Sequence, residues 1–431
     1  MPSLRIGQWT PAVLRKHLFK EETKSIESLC RMMMESDGEY SSLLLAERIL
    51  NAFENLDEPA RLEFFDVLLV DYDIDPAEIR AAVEAYELNP DAKNLVRVTA
   101  AAEPRRQELL RRINLALGGT RRLVKMREHL LTAMRDKPEL KKIDTDFYHL
   151  FNAWFNRGFL LTEPLDWTTP AHILEKIIAY EAVHEIERWS ELRSRLEPED
   201  RYCYGFFHPS MEDEPLVFVE VALTDHIPRG IGEILRREPT GESPENLTCA
   251  IFYSISNCHR GLAGVSFGNF LIKQVATSLK LRFPQLKTFA TISPVTGFRR
   301  WLDLQAEENN DIASLLTHFD AEAYEGKQNE LDKLATHYFV ELEKLAAHYF
   351  LIEKNDRNEP LDPVARFHLK NGAMLERINI LGNPSDKGME RSLGTMVNYV
   401  YDLSRVEENH EEYVRNHKII CSSQVKKLLQ K

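Results

Sequence analysis

The sequence has little of what marks a secreted, metal-bound or membrane-spanning chain. Cysteine is scarce, with five in 431 residues, at positions 30, 203, 249, 258 and 421. Their number is odd and no pair has C-x-x-C spacing, which argues against a disulfide framework and a cysteine-built zinc site. The expectation is reduced thiols in a cytoplasmic protein that holds no metal. No apolar run reaches the roughly 20 residues that cross a bilayer. The N-terminal MPSLRIGQW has no apolar core of a secretory signal, and the C-terminal QVKKLLQK has no peroxisomal S-K-L ending. Positive charge is also short. A net charge of −13 argues against general nucleic-acid binding, which wants a basic face. An anionic ligand would need a local basic cluster.

What is present is length and a change of texture. A chain of 431 residues suits two or three domains with a large core. Up to about 156 it reads as helical. Ser25–Met34, Ser41–Leu56, Pro59–Tyr72 and Pro76–Leu88 have apolar residues three and four apart, separated by turns. Asp57-Glu58-Pro59 and Asp75-Pro76 are helix starts with proline in the first turn. Arg105 to Arg135 is basic and reads as a solvated helix face. Nothing before 156 looks catalytic, so residues 1–156 are expected to be a helical oligomerisation domain.

The stretch 249–300 organises the remainder. Cys249–Ser256 is apolar, β-branched and aromatic, like a buried strand. Gly261, Gly264 and Gly268 follow, then a helical pattern on Phe270, Leu271, Val275 and Leu279 that Pro284 ends. Thr288–Ile292 is a second strand leading to Ser293-Pro294. Backbone N–H groups at a helix start, approached through glycines, suit a phosphate.

Around this unit, Gly158–Leu161 reads as a short strand and Thr169–Leu196 as one long helix. Arg201–His208 and Leu216–Leu223 read as strands, and Ile227–Arg236 as a helix. Asp303–Lys354 is polar and helical, with a near-repeat at Lys333–Phe339 and Lys344–Phe350. Val364–Leu369 and Glu376–Leu381 read as strands, and Leu393–Leu403 carries Asn398, Tyr399 and Tyr401. Strands alternating with helices make residues 157–431 α/β or α+β. Their order resembles the acyl-CoA N-acyltransferase (GNAT) fold, which grips a pyrophosphate at such a loop.

Five separated segments carry a more specific resemblance. They are HPSMEDEPLVFVEVALT (208–224), AIFYSISNCHRGLAGVSFGNFLIKQV (250–275), TISPVTGFRRWL (291–302), DPVARFHLKNGAMLERIN (362–379) and MVNYVY (396–401). In this order they resemble the malonyl-CoA decarboxylase family, and the resemblance extends into the helical part. It implies an α+β protein, with an N-terminal all-helical domain followed by a GNAT-like catalytic domain over 157–431. It implies conversion of malonyl-CoA to acetyl-CoA and CO₂ without metal, biotin or other cofactor, in a dimer or tetramer. The family's serine of S-P-x-x-G-F falls on Ser293, its histidine of F-H-L-x-N-G on His368, and its second tyrosine of N-Y-x-Y on Tyr401. Its acyl-CoA loop falls on Ala263, Gly264, Val265, Ser266, Phe267, Gly268 and Asn269.

The chemistry suits these residue types. Losing CO₂ from a malonyl thioester leaves an enolate, whose oxygen needs hydrogen-bond donors. Loop N–H groups could serve. A hydroxyl such as Ser293 can hold the carboxylate out of the carbonyl plane, and His368 can act as a general acid near neutral pH. Each has a plainer reading. Ser293 could turn the chain before Pro294, His368 could be a bonded structural histidine on a strand, and Tyr401 a core aromatic. His208 and Asn371 are possible supporting groups. Lys273, Arg299 and Arg300 could meet CoA phosphates.

One departure stands out. Gly264-Val-Ser-Phe-Gly268 matches G-x-S-x-G, the nucleophile elbow of a serine hydrolase or thioesterase. Against it, Asn257–Ala263 separate the strand from the motif, and other family members carry an acidic residue at the Ser266 position. An acyl-CoA acetyltransferase and a non-catalytic CoA-binding scaffold are further alternatives.

Overall fold

Local capping explains where the N-terminal helices begin. In this computed structural model, which describes residues 24–36, 38–235, 243–265, 271–320 and 328–430, Ser25 caps α1 (Ile26–Glu35). After α2 (Glu39–Glu54), Asp57 caps α3 (Glu58–Val70), Asp75 caps α4 (Pro76–Leu88) and Asp91 caps α5 (Ala92–Ala102). Each carboxylate accepts an N–H that the first turn cannot satisfy itself. Three more helices complete this part: α6 (Arg105–Ile113), α7 (Gly119–Ala133) and α8 (Lys141–Trp154).

The chain divides into two compact units. The first runs to Phe155 and also takes Ser210–Glu212 and His259–Val265; the second holds the rest. Phe53, Phe64 and Phe65 centre the first unit, with Phe53 5.5 Å from Phe64 and 5.8 Å from Phe65. Burying each phenyl ring stabilises the unit by about 1.5–3 kcal/mol. The basic stretch is not one solvated face. Arg106 is buried between Asp73 and Asp146, and Arg127 is buried too. In contrast, α4 buries only Ala82 and α5 buries nothing, which leaves Leu88, Leu95 and Val96 exposed.

The second unit is built on an eight-stranded sheet in the order β1-β2-β3-β4-β5-β8-β6, with β7 also on β8. Its elements, in chain order, begin with β1 (Leu161–Leu165), α9 (Ala171–Tyr180), α10 (Trp189–Leu196), β2 (Arg201–Phe207) and β3 (Pro215–Thr224). Then come α11 (Gly232–Leu235), β4 (Cys249–Asn257), α12 (Leu271–Arg282), β5 (Thr288–Thr291), β6 (Ser293–Pro294) and α13 (Phe298–Ala306). The last group is α14 (Asn310–Asp320), α15 (Gln328–Leu351), α16 (Pro363–Lys370), β7 (Met374–Asn379), α17 (Asp386–Ser392), β8 (Met396–Val400), α18 (Val406–Asn416) and α19 (Ser423–Leu428). A helical region followed by a mixed sheet is the α+β architecture expected.

Four expectations are corrected. The expected strand over 158–161 is a 3₁₀ turn, Arg157–Phe159, followed by β1. The expected helix over 227–236 shrinks to α11. The single long helix over 169–196 is two helices. It breaks because the Glu181 carboxylate takes the N–H groups of Val183 (2.8 Å) and His184 (2.7 Å), competing with helical bonding. Residues 364–369 are a helix, not a strand. Asp362 caps α16 by accepting from Ala365 N at 2.8 Å, with Pro363 in the first turn.

Candidate active site

Parallel pairing of β4 and β5 is short. It runs from Cys249 opposite Thr288 to Phe252 opposite Thr291, and Ile292 N to Phe252 O is the next bond along. Beyond it β4 continues paired with β3 alone, while β6 pairs with β8 through Ser293 and Val397. Two strands that begin paired and then part leave a wedge between them. It holds a cavity of about 250 Å³ lined by Phe252, Tyr253 and Ile255 on one side and by Ile292, Ser293 and His368 on the other.

Three predicted residues meet at this wedge. Ser293 Oγ lies 3.0 Å from His368 Nε2, and His368 Nδ1 lies 2.8 Å from the Tyr401 hydroxyl. All three side chains are buried. The His368 ring also stacks on Tyr399 at 4.5 Å between centroids. Because α16 carries His368 into this position, the Asp362 cap matters to the site. The same carboxylate accepts from Thr296 N at 3.1 Å, so one side chain ties the Ser293 loop to the histidine's helix.

The proton positions follow from the partners. Ser293 Oγ donates to Thr291 Oγ1 at 2.9 Å, which uses its one hydrogen. His368 Nε2 therefore donates to Ser293, and Nδ1 accepts from Tyr401. Burial pushes the His368 pKa down to about 3, since a charged ring would lose its hydration. The imidazole is thus neutral at neutral pH, and the expectation of a histidine titrating near neutrality is not met. Burial raises Tyr401 well above its ordinary value, so its hydroxyl stays protonated.

Sequence reasoning missed the supporting residues. Thr291 stands two positions before Ser293 on an extended segment, so both share a face; that spacing was a usable signal. Thr291 O accepts from Asn398 Nδ2 at 2.8 Å, and Asn398 Oδ1 accepts from Arg377 Nη2 at 3.0 Å. Glu181 is wired to β4 by Ser254 Oγ (2.7 Å) and Ser256 Oγ (3.2 Å), and its neighbour Val183 lines the cavity.

Other candidates fall elsewhere. His208 follows β2 and packs edge-on against Phe159, away from the wedge. Asn371 ends α16, its amide bonding Phe367 O at 2.7 Å. Lys273 pairs with Glu407 and Arg299 with Asp303, so a carboxylate engages each of these cations; Arg300 is exposed. In the loop, Ala263 N and Val265 N bond to Arg260 O and Leu262 O, both at 3.0 Å. Their amides are spent within the turn, while Gly264 adopts φ +80°. Ser266, Phe267, Gly268 and Asn269 lie outside the described residues. Among the described residues, no helix is long and apolar enough to cross a membrane.

A helical unit, a mixed sheet with splayed parallel strands, and a buried Tyr–His–Ser series in the splay define an α+β protein with an enclosed polar site. The family model for the malonyl-CoA decarboxylase C-terminal domain matches residues 158–431, and that for the N-terminal domain matches 72–155. The chain belongs to the malonyl-CoA decarboxylase family, a family of carboxy-lyases. It is 35% identical over 359 residues to the mitochondrial malonyl-CoA decarboxylase of Mus musculus, covering 77% of this chain and 73% of that protein. The solved malonyl-CoA decarboxylase of Rhodopseudomonas palustris is 46% identical at a TM-score of 0.87, over 93% of this chain and 98% of that one. That of Agrobacterium vitis is also 46% identical at 0.87, over 95% and 100%.

Proposed function

We propose that this protein decarboxylates malonyl-CoA to acetyl-CoA, with Ser293, His368 and Tyr401 as the reacting and supporting groups. The observation that carries the reading is the continuous series from Tyr401 through His368 to Ser293 at the mouth of the strand splay. The thioester is its own electron sink. The bond between the carboxylate carbon and the methylene carbon breaks, its electron pair enters the thioester carbonyl, and CO₂ leaves. The resulting enolate takes a proton at carbon.

On substrate binding the Ser293 hydroxyl turns from Thr291 Oγ1 to donate to the carboxylate of the substrate, and holds it so that the breaking bond overlaps the carbonyl π system. His368 supplies the proton from Nε2. A neutral imidazole suffices, because an enolate beside a thioester is a much stronger base than imidazolate. Tyr401 keeps its proton and donates to Nδ1, which steadies the imidazolate, and Nε2 regains a proton from solvent through the cavity. The net reaction consumes one proton and releases one CO₂. Acyl-CoA binding belongs to the loop beginning at Ala263.

The test is incubation with malonyl-CoA alone. Acetyl-CoA and CO₂ formed in equal amounts, with no acceptor, are expected. Free CoA would instead support a thioesterase using Ser266, and the absence of turnover would support a scaffold. We further propose that the first unit mediates self-association, supported by the exposed apolar residues of α4 and α5. The cysteines are free and buried, in keeping with a reducing compartment such as the cytoplasm.

A further inference from the structure

Arg127 lies on α7 in the basic stretch, yet it is only 2% exposed. Its Nε donates to Asp144 at 2.7 Å. Its Nη1 donates to Gly261 O at 2.8 Å and to Ala263 O at 2.9 Å. These two carbonyls belong to the turn that follows β4 and opens the acyl-CoA loop. Turn carbonyls at a surface are ordinarily satisfied by water. Here a buried guanidinium takes them, at the cost of its own hydration and side-chain freedom.

The turn sits hard against the helix. A Cβ on Gly261 would stand 2.0 Å from Val124 O, three positions before Arg127. Leu262 N and Ala263 N bond back to His259 O and Arg260 O, both at 3.0 Å, so the shape of the turn is closed by its own bonds. Its orientation is then set by Arg127. In a trans peptide the C=O and the following N–H point in opposite directions. With Ala263 O drawn toward Arg127, the N–H of Gly264 is turned the other way, and Gly264 itself holds φ +80°. Ala263 and Val265 have spent their amides within the turn, which leaves the Gly264 N–H as the oriented donor of this stretch.

We infer that Arg127 is a positioning residue for coenzyme A, fixing the peptide between Ala263 and Gly264 so that the Gly264 N–H is presented to an anionic group of the cofactor-like substrate. The inference rests on the reading of the chain as a malonyl-CoA decarboxylase.

The experiment uses the full-length protein and three variants. Arg127→Met is made in an Asp144→Asn background, so that no half-buried carboxylate is left without its partner. Arg127→Lys keeps the charge without the forked geometry. Arg122→Met is the control. Arg122 is on the same helix and pairs with Glu47 and Glu54, so its loss disturbs the helical unit at other partners. Steady-state kinetics with malonyl-CoA, titration calorimetry with free coenzyme A, and melting temperature are measured for each.

The Met variant should raise KM and the Kd for coenzyme A about tenfold, as expected for losing charge-assisted positioning bonds, while kcat changes little. Lys should fall between. Arg122→Met should lower the melting temperature and leave KM unchanged. Wild-type KM in both Arg127 variants would overturn the inference, as would an equal KM rise in Arg122→Met. If the wild-type protein neither binds coenzyme A nor turns over malonyl-CoA, the functional reading itself fails, a distinguishable result.

Discussion

Ser293 Oγ and His368 Nε2 are 3.0 Å apart although 75 positions separate them in the chain. The pair exists because β6 turns away from β4 onto β8 while α16 delivers the histidine to the same wedge. Each of the two arrivals can be disturbed separately.

Removing the Ser293 hydroxyl tests the chemistry most directly. Ser293→Ala should lower kcat by about 10²–10⁴-fold, the range for loss of a positioned polar group in the transition state. Coenzyme A affinity, read by calorimetry, should stay near wild type. Ser266→Ala should cost much less. A fluorophosphonate that labels Ser266 and abolishes turnover would reverse this ranking.

His368 carries a pH signature. Its folded pKa is near 3, below the unfolded value of about 6.5. The unfolded chain therefore binds more protons between these values. The stability from keeping this ring neutral is fully present above pH 6.5 and is lost as pH falls toward 3, by about 1.4 kcal/mol per unit. Denaturant midpoints of wild type and His368→Asn should converge over that window. The asparagine variant should also lose kcat by about 10²–10⁴-fold. No inflection in kcat/KM near pH 6.5 should be traceable to His368, because that ratio reports ionisations of the free protein.

Tyr401→Phe keeps the ring and removes the hydroxyl, leaving Nδ1 of His368 without its 2.8 Å partner. Stability should fall by about 1–3 kcal/mol, measured by urea denaturation. Loss of this donor to the imidazolate should show as a fall in kcat at unchanged KM. A variant with wild-type kcat would remove Tyr401 from the chemistry.

Asp362→Ala should act at a distance. It deletes the cap of α16 and the anchor of Thr296 N together. A cap is worth about 1–2 kcal/mol, and the histidine's placement depends on this one. The expected result is a lower melting temperature together with a lower kcat. Serine at this position, which still caps, should restore most of both.

The self-association proposal is checked on α4 and α5. Leu88→Asp combined with Val96→Asp should reduce the mass seen by light scattering. Both side chains are exposed, at 88% and 66%, so the monomer should lose little stability. An unchanged mass would place any interface elsewhere.

Local signals made much of the chain readable in sequence. The expected bounds of α4, Pro76–Leu88, match the structure because Asp75-Pro76 marks a helix start and the apolar spacing runs unbroken behind it. The strand at 249 was legible for the same kind of reason: the eight residues Cys249–Ser256 mix apolar, β-branched and aromatic side chains, and such a run has few other uses. The residue types at 293, 368 and 401 were legible through motif resemblance.

Tertiary structure decided the rest. His368 was expected on a strand, yet Asp362-Pro363 carried the same start signal as Asp75-Pro76, and a short helix resulted. The break after Tyr180 depended on a glutamate side chain competing for backbone N–H groups, which apolar periodicity does not register. Arg127 read as one of many surface cations. Its burial against two carbonyls from 134 and 136 positions away is a long-range pairing that no local pattern encodes. The sequence determined most of the element types, the helical-then-mixed order and the candidate groups, because those depend on neighbours along the chain. The protonation state of His368, the Ser293 contact and the seating of the 261–264 turn were set only in the folded chain. Desolvation and hydrogen-bond geometry arise when distant segments are brought together.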